Sequence, residues 1–68
     1  MPGIYKLVEV VGTSAVSFAE AAKEGVREAS KTVRHIDWFE VTEQRGRVVD
    51  GEIKEFQVTL KVGFKVER

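Results

Sequence analysis

Apolar and polar residues alternate without interruption through residues 55–66, EFQVTLKVGFKV, with Gly63 on the polar phase. Neighbouring side chains of a strand point to opposite faces of a sheet, so this pattern predicts a strand with one buried and one open face. The same period of two runs from Ile36 to Val49, and Asp50-Gly51 separates the two runs. Asp-Gly between alternating runs is typical of a two-residue turn, so we predict a long β-hairpin.

The residues before the hairpin predict a strand and a helix. Ile4 to Val11 is rich in β-branched residues and ends at Gly12-Thr13-Ser14, a turn and capping cluster. Thr13 or Ser14 can cap the helix, or the capping box at residues 17–20, SFAE, can start it one turn later. Small and apolar residues then recur at spacings of three and four, which predicts one buried stripe on a helix of about 20 residues. The stripe consists of Phe18, Ala21, Ala22, Gly25, Val26, Ala29, Val33 and Ile36.

The opposite face of this helix is charged. Oppositely charged residues stand three positions apart in three places, which is typical of a solvated face. The pairs are Glu20 with Lys23, Glu24 with Arg27 and Glu28 with Lys31. On the buried stripe, Gly25 is expected to let the helix lie close against the sheet.

The order β-α-β-β predicts an α+β fold, with a three-stranded antiparallel sheet wrapped on one helix, and a single domain over residues 1–68. Strands of about 14 residues would span roughly 46 Å, whereas a helix of about 20 residues covers only ~30 Å. Phe64 and Val66, or the opposite end of the hairpin, should therefore extend past the helix. Exposed apolar strand ends favour packing against another chain.

Composition narrows the function. Eleven basic and eleven acidic residues cancel, which argues against a nucleic-acid partner bound through a basic surface. With no cysteine and one histidine, disulfides and thiolate metal sites are excluded, which leaves oligomerisation to stabilise so small a domain. The first residues lack the features of a signal peptide, and no apolar run is long enough to span a membrane, so we expect a soluble cytoplasmic protein.

Trp38 stands out because its ring falls on the polar phase of the hairpin, together with Glu40, Thr42 and Gln44. Either another subunit or a planar ligand could cover it, and the pattern leaves both open. A register set by Asp50-Gly51 places Trp38 opposite Gly63, which would leave a flat shelf beside the indole.

Gln57 is expected on the same face, where its amide, both donor and acceptor, can recognise a ring edge with N–H beside C=O. The same register places Gln44 opposite Gln57 and Thr42 opposite Thr59, unless a bulge near residues 45–47 alters it. Six positions along the hairpin separate Gln57 from Gly63, roughly 20 Å. Trp38 and Gln57 could therefore address one ligand only from different subunits.

Residues suited to catalysis are few. His35 is the sole near-neutral base, and its predicted position favours interaction with the helix C-terminal dipole over proton transfer. No acid–base dyad is visible from spacing, so we expect no enzymatic turnover.

Four segments together resemble the dodecin family, and the resemblance covers nearly the whole chain. They are Val10-Val11-Gly12-Thr13-Ser14, the helix end Ala29-Ser30-Lys31-Thr32-Val33-Arg34, Trp38-Phe39-Glu40-Val41 and Phe56-Gln57-Val58. The resemblance implies a β-α-β-β subunit of a hollow homododecamer that binds stacked pairs of flavins at two-fold axes.

By the same resemblance, Trp38 would stack on the flavin and Gln57 would hydrogen-bond the isoalloxazine. FMN is the expected flavin, with riboflavin or FAD as alternatives, and Arg45 and Lys6 are the candidates for its phosphate. Arg34 and Lys65 are candidates for coenzyme A. The implied role is storage or sequestration of a quenched flavin. The alternative is a structural oligomeric module in which Trp38 and Gln57 only pack at subunit contacts.

Overall fold

The computed structural model describes residues 3–66 and confirms the predicted β-α-β-β order. Strand β1 spans Tyr5–Ser14, helix α1 Phe18–Ala29, strand β2 Ile36–Val49 and strand β3 Glu52–Lys65. The three strands form one antiparallel sheet in the order β1-β3-β2, so the most regularly alternating strand lies in the centre.

Helix α1 packs against the central strand. The apolar phase of β3 supplies the fully buried side chains Val58, Leu60 and Val62, and α1 covers them with Ala21 and Ala29. Close approach depends on two glycines: a Cβ at Gly12 would lie 2.0 Å from the Ala21 carbonyl oxygen, and one at Gly25 would lie 2.8 Å from Leu60 Cδ2. The expected packing role of Gly25 agrees with this geometry.

Ser17 caps the helix, as its capping box allows, and its hydroxyl accepts a hydrogen bond from the Glu20 amide at 3.0 Å. The alternative cap, Ser14, instead accepts a hydrogen bond from the Val16 amide at 2.9 Å in the turn before α1. All three predicted charge pairs form on the exposed face. They are Glu20–Lys23, Glu24–Arg27 and Glu28–Lys31.

The predicted length of α1 was wrong, because the helix ends at Ala29 after 12 residues. After Ala29 two backbone hydrogen bonds join residues three positions apart. The Lys31 amide donates to the Glu28 carbonyl oxygen at 3.1 Å, and the Thr32 amide donates to the Ala29 carbonyl oxygen at 3.2 Å. Val33 lies in the loop and Ile36 opens β2. A β-branched residue that fits helix spacing fits a strand better, and pairing in the hairpin decides its state.

His35 is therefore not at the helix terminus. It lies in the loop that follows, with a positive φ of 58°, and the expected interaction with the helix dipole does not form. The tight turn at Asp50-Gly51 was predicted correctly, since φ is 53° and 78° at these two residues, as a type I′ turn requires.

The register departs from the prediction in the middle of the hairpin and returns to it at Trp38. One bulge leaves Lys54 unpaired on β3, and a second leaves Thr42 unpaired on β2, so the two offsets cancel. Trp38 is opposite Gly63, as predicted.

Between the bulges the predicted pairs were wrong. Arg45, not Gln44, is opposite Gln57, and Glu43, not Thr42, is opposite Thr59. Gln44 is opposite Val58 and so lies on the helix side, not on the Trp38 face.

The hairpin extends well past the helix, as the predicted lengths of the strands and the helix indicated. The chain measures 52 × 20 × 13 Å, and Val48 and Ile53 at the turn end are 65% and 63% exposed. Phe64 and Val66, the other candidates for the overhang, are half-buried. Within residues 3–66, no helix is long and apolar enough to cross a membrane.

Candidate functional site

The side of the sheet turned away from α1, called here the open face, carries most of the predicted site residues. The core residues of β3 point toward α1, so the alternate residues of β3 and their cross-strand partners lie on the other side. The open face includes Tyr5, Leu7, Trp38, Arg45, Gln57 and Lys65.

The Trp38 indole lies directly over Gly63. A Cβ built at Gly63 would come within 2.4 Å of both Cε2 and Cζ2 of the ring, which only a residue without a side chain permits. The predicted empty shelf beside the indole is thus wrong, because the indole itself occupies it. Trp38 nevertheless stays 39% exposed, so much of the ring remains available for contact.

Tyr5 was not predicted and completes an aromatic pair with Trp38. The two ring centroids are 5.2 Å apart with planes tilted by 57°, a favourable aromatic geometry. Tyr5 reaches Trp38 because β1 pairs with β3 on the side opposite β2 and Gly63 places no side chain between them. The alternation in Ile4 to Val11 could have placed Tyr5 on this face only if the strand order had been known.

Gln57 and Arg45 form a second group on the open face. Arg45 donates to the Gln57 Oε1 atom at 3.4 Å, to the Thr59 hydroxyl at 2.7 Å and to a Glu43 carboxylate oxygen at 2.7 Å. The Gln57 amide nitrogen donates to Glu55 Oε1 at 2.9 Å. These contacts depend on the bulge at Thr42, which moves Glu43 and Arg45 onto this face.

The two groups do not meet within one chain. Trp38 sits opposite Gly63, six residues from Gln57 on β3, which corresponds to roughly 20 Å along the strand. A ligand the size of a three-ring heterocycle cannot touch both in one subunit. Any site that uses both therefore needs a second copy of the chain.

The remaining predicted cations lie apart from one another. Lys65 is exposed on the open face, paired with Tyr5 near the indole. Lys6 is exposed opposite Phe64, on the helix side of the sheet, and Arg34 is exposed in the loop between α1 and β2. The structure therefore does not bring Lys6 onto the Trp38 face, and coenzyme A at Arg34 and Lys65 stays a prediction.

Across residues 3–66 there is no group of three or more His, Asp or Glu side chains arranged to hold a metal ion. The polar groups of the open face are acidic and basic side chains, an amide and hydroxyls, with no histidine among them in the described residues. This face offers stacking and hydrogen bonding, not a nucleophile paired with a base.

These features define a class, a one-helix α+β protein whose open face carries an aromatic pair and a polar group that do not meet within one chain. The family sequence model described as Dodecin matches residues 4–67, and the chain belongs to the dodecin family. Dodecins are small binding proteins that form oligomers of small subunits.

Individual dodecins are similar to this chain over most of its length. Dodecin of Thermus thermophilus is 48% identical over 67 residues, covering 98% of this chain and 97% of that protein. The solved dodecin of Streptomyces davaonensis covers all of both chains at 41% identity, with a TM-score of 0.92. A more distant relative, the calcium dodecin of Mycobacterium tuberculosis, is 33% identical and covers 93% of this chain and 89% of its own length.

Proposed function

We propose that this protein binds a flavin, FMN first among them, and stores or sequesters it without turnover. The observation that carries the proposal is Trp38, an indole 39% exposed on an otherwise polar strand face and lying over a glycine. Isoalloxazine is a flat, electron-poor ring system, and a large electron-rich indole is the side chain best suited to stack on it.

The proposed site forms between subunits of a homododecamer. Two features support assembly: apolar side chains remain exposed at the hairpin end, and the Trp38 and Gln57 groups are too far apart to share a ligand in one chain. A symmetry axis would place the Trp38 of one subunit near the Gln57 of another. Stacked flavins between paired indoles would then have their ring edges beside Gln57.

The role proposed for Arg45 depends on which edge of the flavin lies beside Gln57. Gln57 would pair with the N–H that lies between two carbonyls at the pyrimidine end of the flavin, whereas the ribityl phosphate leaves from the middle ring. Arg45 contacts Gln57 and is already bonded to Glu43 and Thr59. We therefore propose Arg45 at the ring edge and assign the phosphate to Lys65, which lies on the open face, since Lys6 lies on the helix side of the sheet.

Storage is favoured over catalysis by the chemistry of the open face. A flavin stacked between indoles has both ring faces covered, and the carboxylates of Glu43 and Glu55 on this face are held in hydrogen bonds to Arg45 and Gln57. Electron donation from indole to an excited flavin would quench its fluorescence. The proposed consequence is protection from light-driven side reactions.

The test is a titration of FMN fluorescence with the apo-protein, run beside sizing of the assembly. We expect quenching that saturates at one FMN per subunit in a particle of about twelve chains. Trp38→Ala should lose about 300-fold in affinity while still assembling, since stacking contributes ~1 kcal/mol and burial of about 100 Å² of ring area adds ~2.5 kcal/mol. Val16→Ala, 73% exposed in the turn before α1, is the control.

A structural module is the second candidate, because two apolar side chains stay exposed on the open face, Leu7 opposite Gly63 and Val11 opposite Thr59. Under that hypothesis the protein assembles, FMN fluorescence is unchanged, and Trp38→Ala weakens the assembly instead. Unquenched FMN in an intact particle would therefore overturn the flavin proposal and leave Trp38 as packing.

A further inference from the structure

The Gln57 side-chain amide is held at both ends by charged residues of fixed polarity. Its nitrogen donates to Glu55 Oε1 at 2.9 Å, and its oxygen accepts from Arg45 at 3.4 Å. A guanidinium can only donate and an ionised carboxylate can only accept. Rotation of the amide by half a turn would set donor against donor and acceptor against acceptor.

Arg45 is itself fixed in place by Thr59 and Glu43, each at 2.7 Å. Glu55 makes the shorter of the two contacts to the amide, and it lies two residues before Gln57 on the same face of β3. Both hydrogen bonds to the amide involve a charged group, and the bond to Glu55 is shorter by 0.5 Å, so Glu55 is the stronger restraint on the amide.

The restrained amide keeps one N–H and one oxygen lone pair free, in a fixed order. An amide has two N–H donors and two acceptor lone pairs, and the two contacts use one of each. The free N–H lies on the side of Glu55, and the free lone pair lies on the side of Arg45. Gln57 is half-buried, so both free positions are accessible to a ligand edge.

We propose that Glu55 is a positioning residue that fixes the order of donor and acceptor presented by Gln57 and so determines which ring edges the site accepts. The proposal rests on the proposed flavin function and deepens it. The ligand class is a planar heterocycle with a ring N–H beside a carbonyl, and an analogue with an acceptor nitrogen in place of that N–H is rejected because the fixed amide sets its oxygen against that acceptor.

The experiment compares FMN with an analogue in which an amino group replaces the 4-carbonyl oxygen, so that ring nitrogen 3 carries a lone pair instead of a hydrogen while the ring and the phosphate are kept. Fluorescence titrations are run on the assembled wild type, on Glu55→Gln and on Glu52→Gln. Glu52 is the control, because it is exposed and contacts Lys54 at 3.5 Å, away from Gln57. Sizing of each variant verifies assembly.

We expect the wild type and Glu52→Gln to bind FMN at least tenfold more tightly than the amino analogue, and Glu55→Gln to reduce this ratio below about threefold. A neutral glutamine at position 55 can donate or accept, so a turned Gln57 amide, which matches the analogue, is opposed only by the longer contact to Arg45. A purely structural role of Glu55 would lower both affinities together and keep the ratio, which would overturn the inference. A Glu55→Gln variant with wild-type binding of both ligands would overturn it as well.

Failure of the flavin function itself is recognised from the wild type alone. An assembled wild-type protein that quenches neither FMN nor the amino analogue overturns the proposed function, and this inference with it. Quenching of FMN by the wild type with an unchanged ratio in Glu55→Gln overturns only the role of Glu55.

Discussion

Replacing Gly63 with alanine should push the Trp38 indole off the sheet. The added Cβ would lie 2.4 Å from Cε2 and Cζ2 of the ring and 2.7 Å from Cη2. Non-bonded carbon atoms settle at about 3.5–4.0 Å, so the ring must retreat by about 1 Å.

The free energy of unfolding lost in Gly63→Ala can be worked out from the area of the Trp38 side chain that the protein covers. Trp38 is 39% exposed, and the covered part of so large a side chain is about 150 Å², worth ~4 kcal/mol at ~25 cal/mol/Å². A gap of 0.5–1 Å forfeits a quarter to a half of such a contact, which is ~1–2 kcal/mol. Alanine in place of glycine stabilises a strand by ~0.5–1 kcal/mol, which offsets part of this loss. We expect a net loss of about 1 kcal/mol.

Trp38 is the single tryptophan, so its fluorescence reports the ring directly. In Gly63→Ala apo-protein of unchanged size, the emission should move to longer wavelength and acrylamide should quench it more efficiently. Gly51→Ala is the control, because it strains a turn at φ 78° with no atom within 4 Å of the new Cβ. Emission and acrylamide quenching identical to the wild type in Gly63→Ala would refute the placement of the indole over Gly63.

Three further substitutions test the subunit fold by chemical denaturation. Ser17→Ala removes the helix cap and should cost ~1 kcal/mol of unfolding free energy; an unchanged midpoint would mean that another group caps α1. Gly12→Ala places a Cβ 2.0 Å from the Ala21 carbonyl oxygen and should cost about 3 kcal/mol or more, whereas wild-type stability would contradict the close approach of helix and sheet. Leu60→Ala should cost ~2–5 kcal/mol, and the 73%-exposed Val16→Ala next to nothing; equal losses in the two would contradict the assigned core.

The secondary structure was largely predictable because its determinants are local. The Asp50-Gly51 turn, the Ser17 cap and the alternation along β3 each depend on residues close together in the chain, and each appears as predicted. The helix end was not predictable in this way. Val33 and Ile36 fit helical spacing. Ile36 instead begins β2, because it pairs in the hairpin with Phe64, which is 28 positions away in the sequence.

For the open face, the sequence by itself determined that Trp38 lies on the polar phase opposite Gly63 and that Gln57 shares its face. The contact between Arg45 and Gln57 emerged only from the tertiary structure. The bulge at Lys54 places Arg45 opposite Gln57, and the bulge at Thr42 restores the predicted register at Trp38. Tyr5 likewise reaches Trp38 only because β3 lies between β1 and β2. Periodicity describes the faces of one strand, whereas bulges and strand order are set by the free energy of pairing between distant segments.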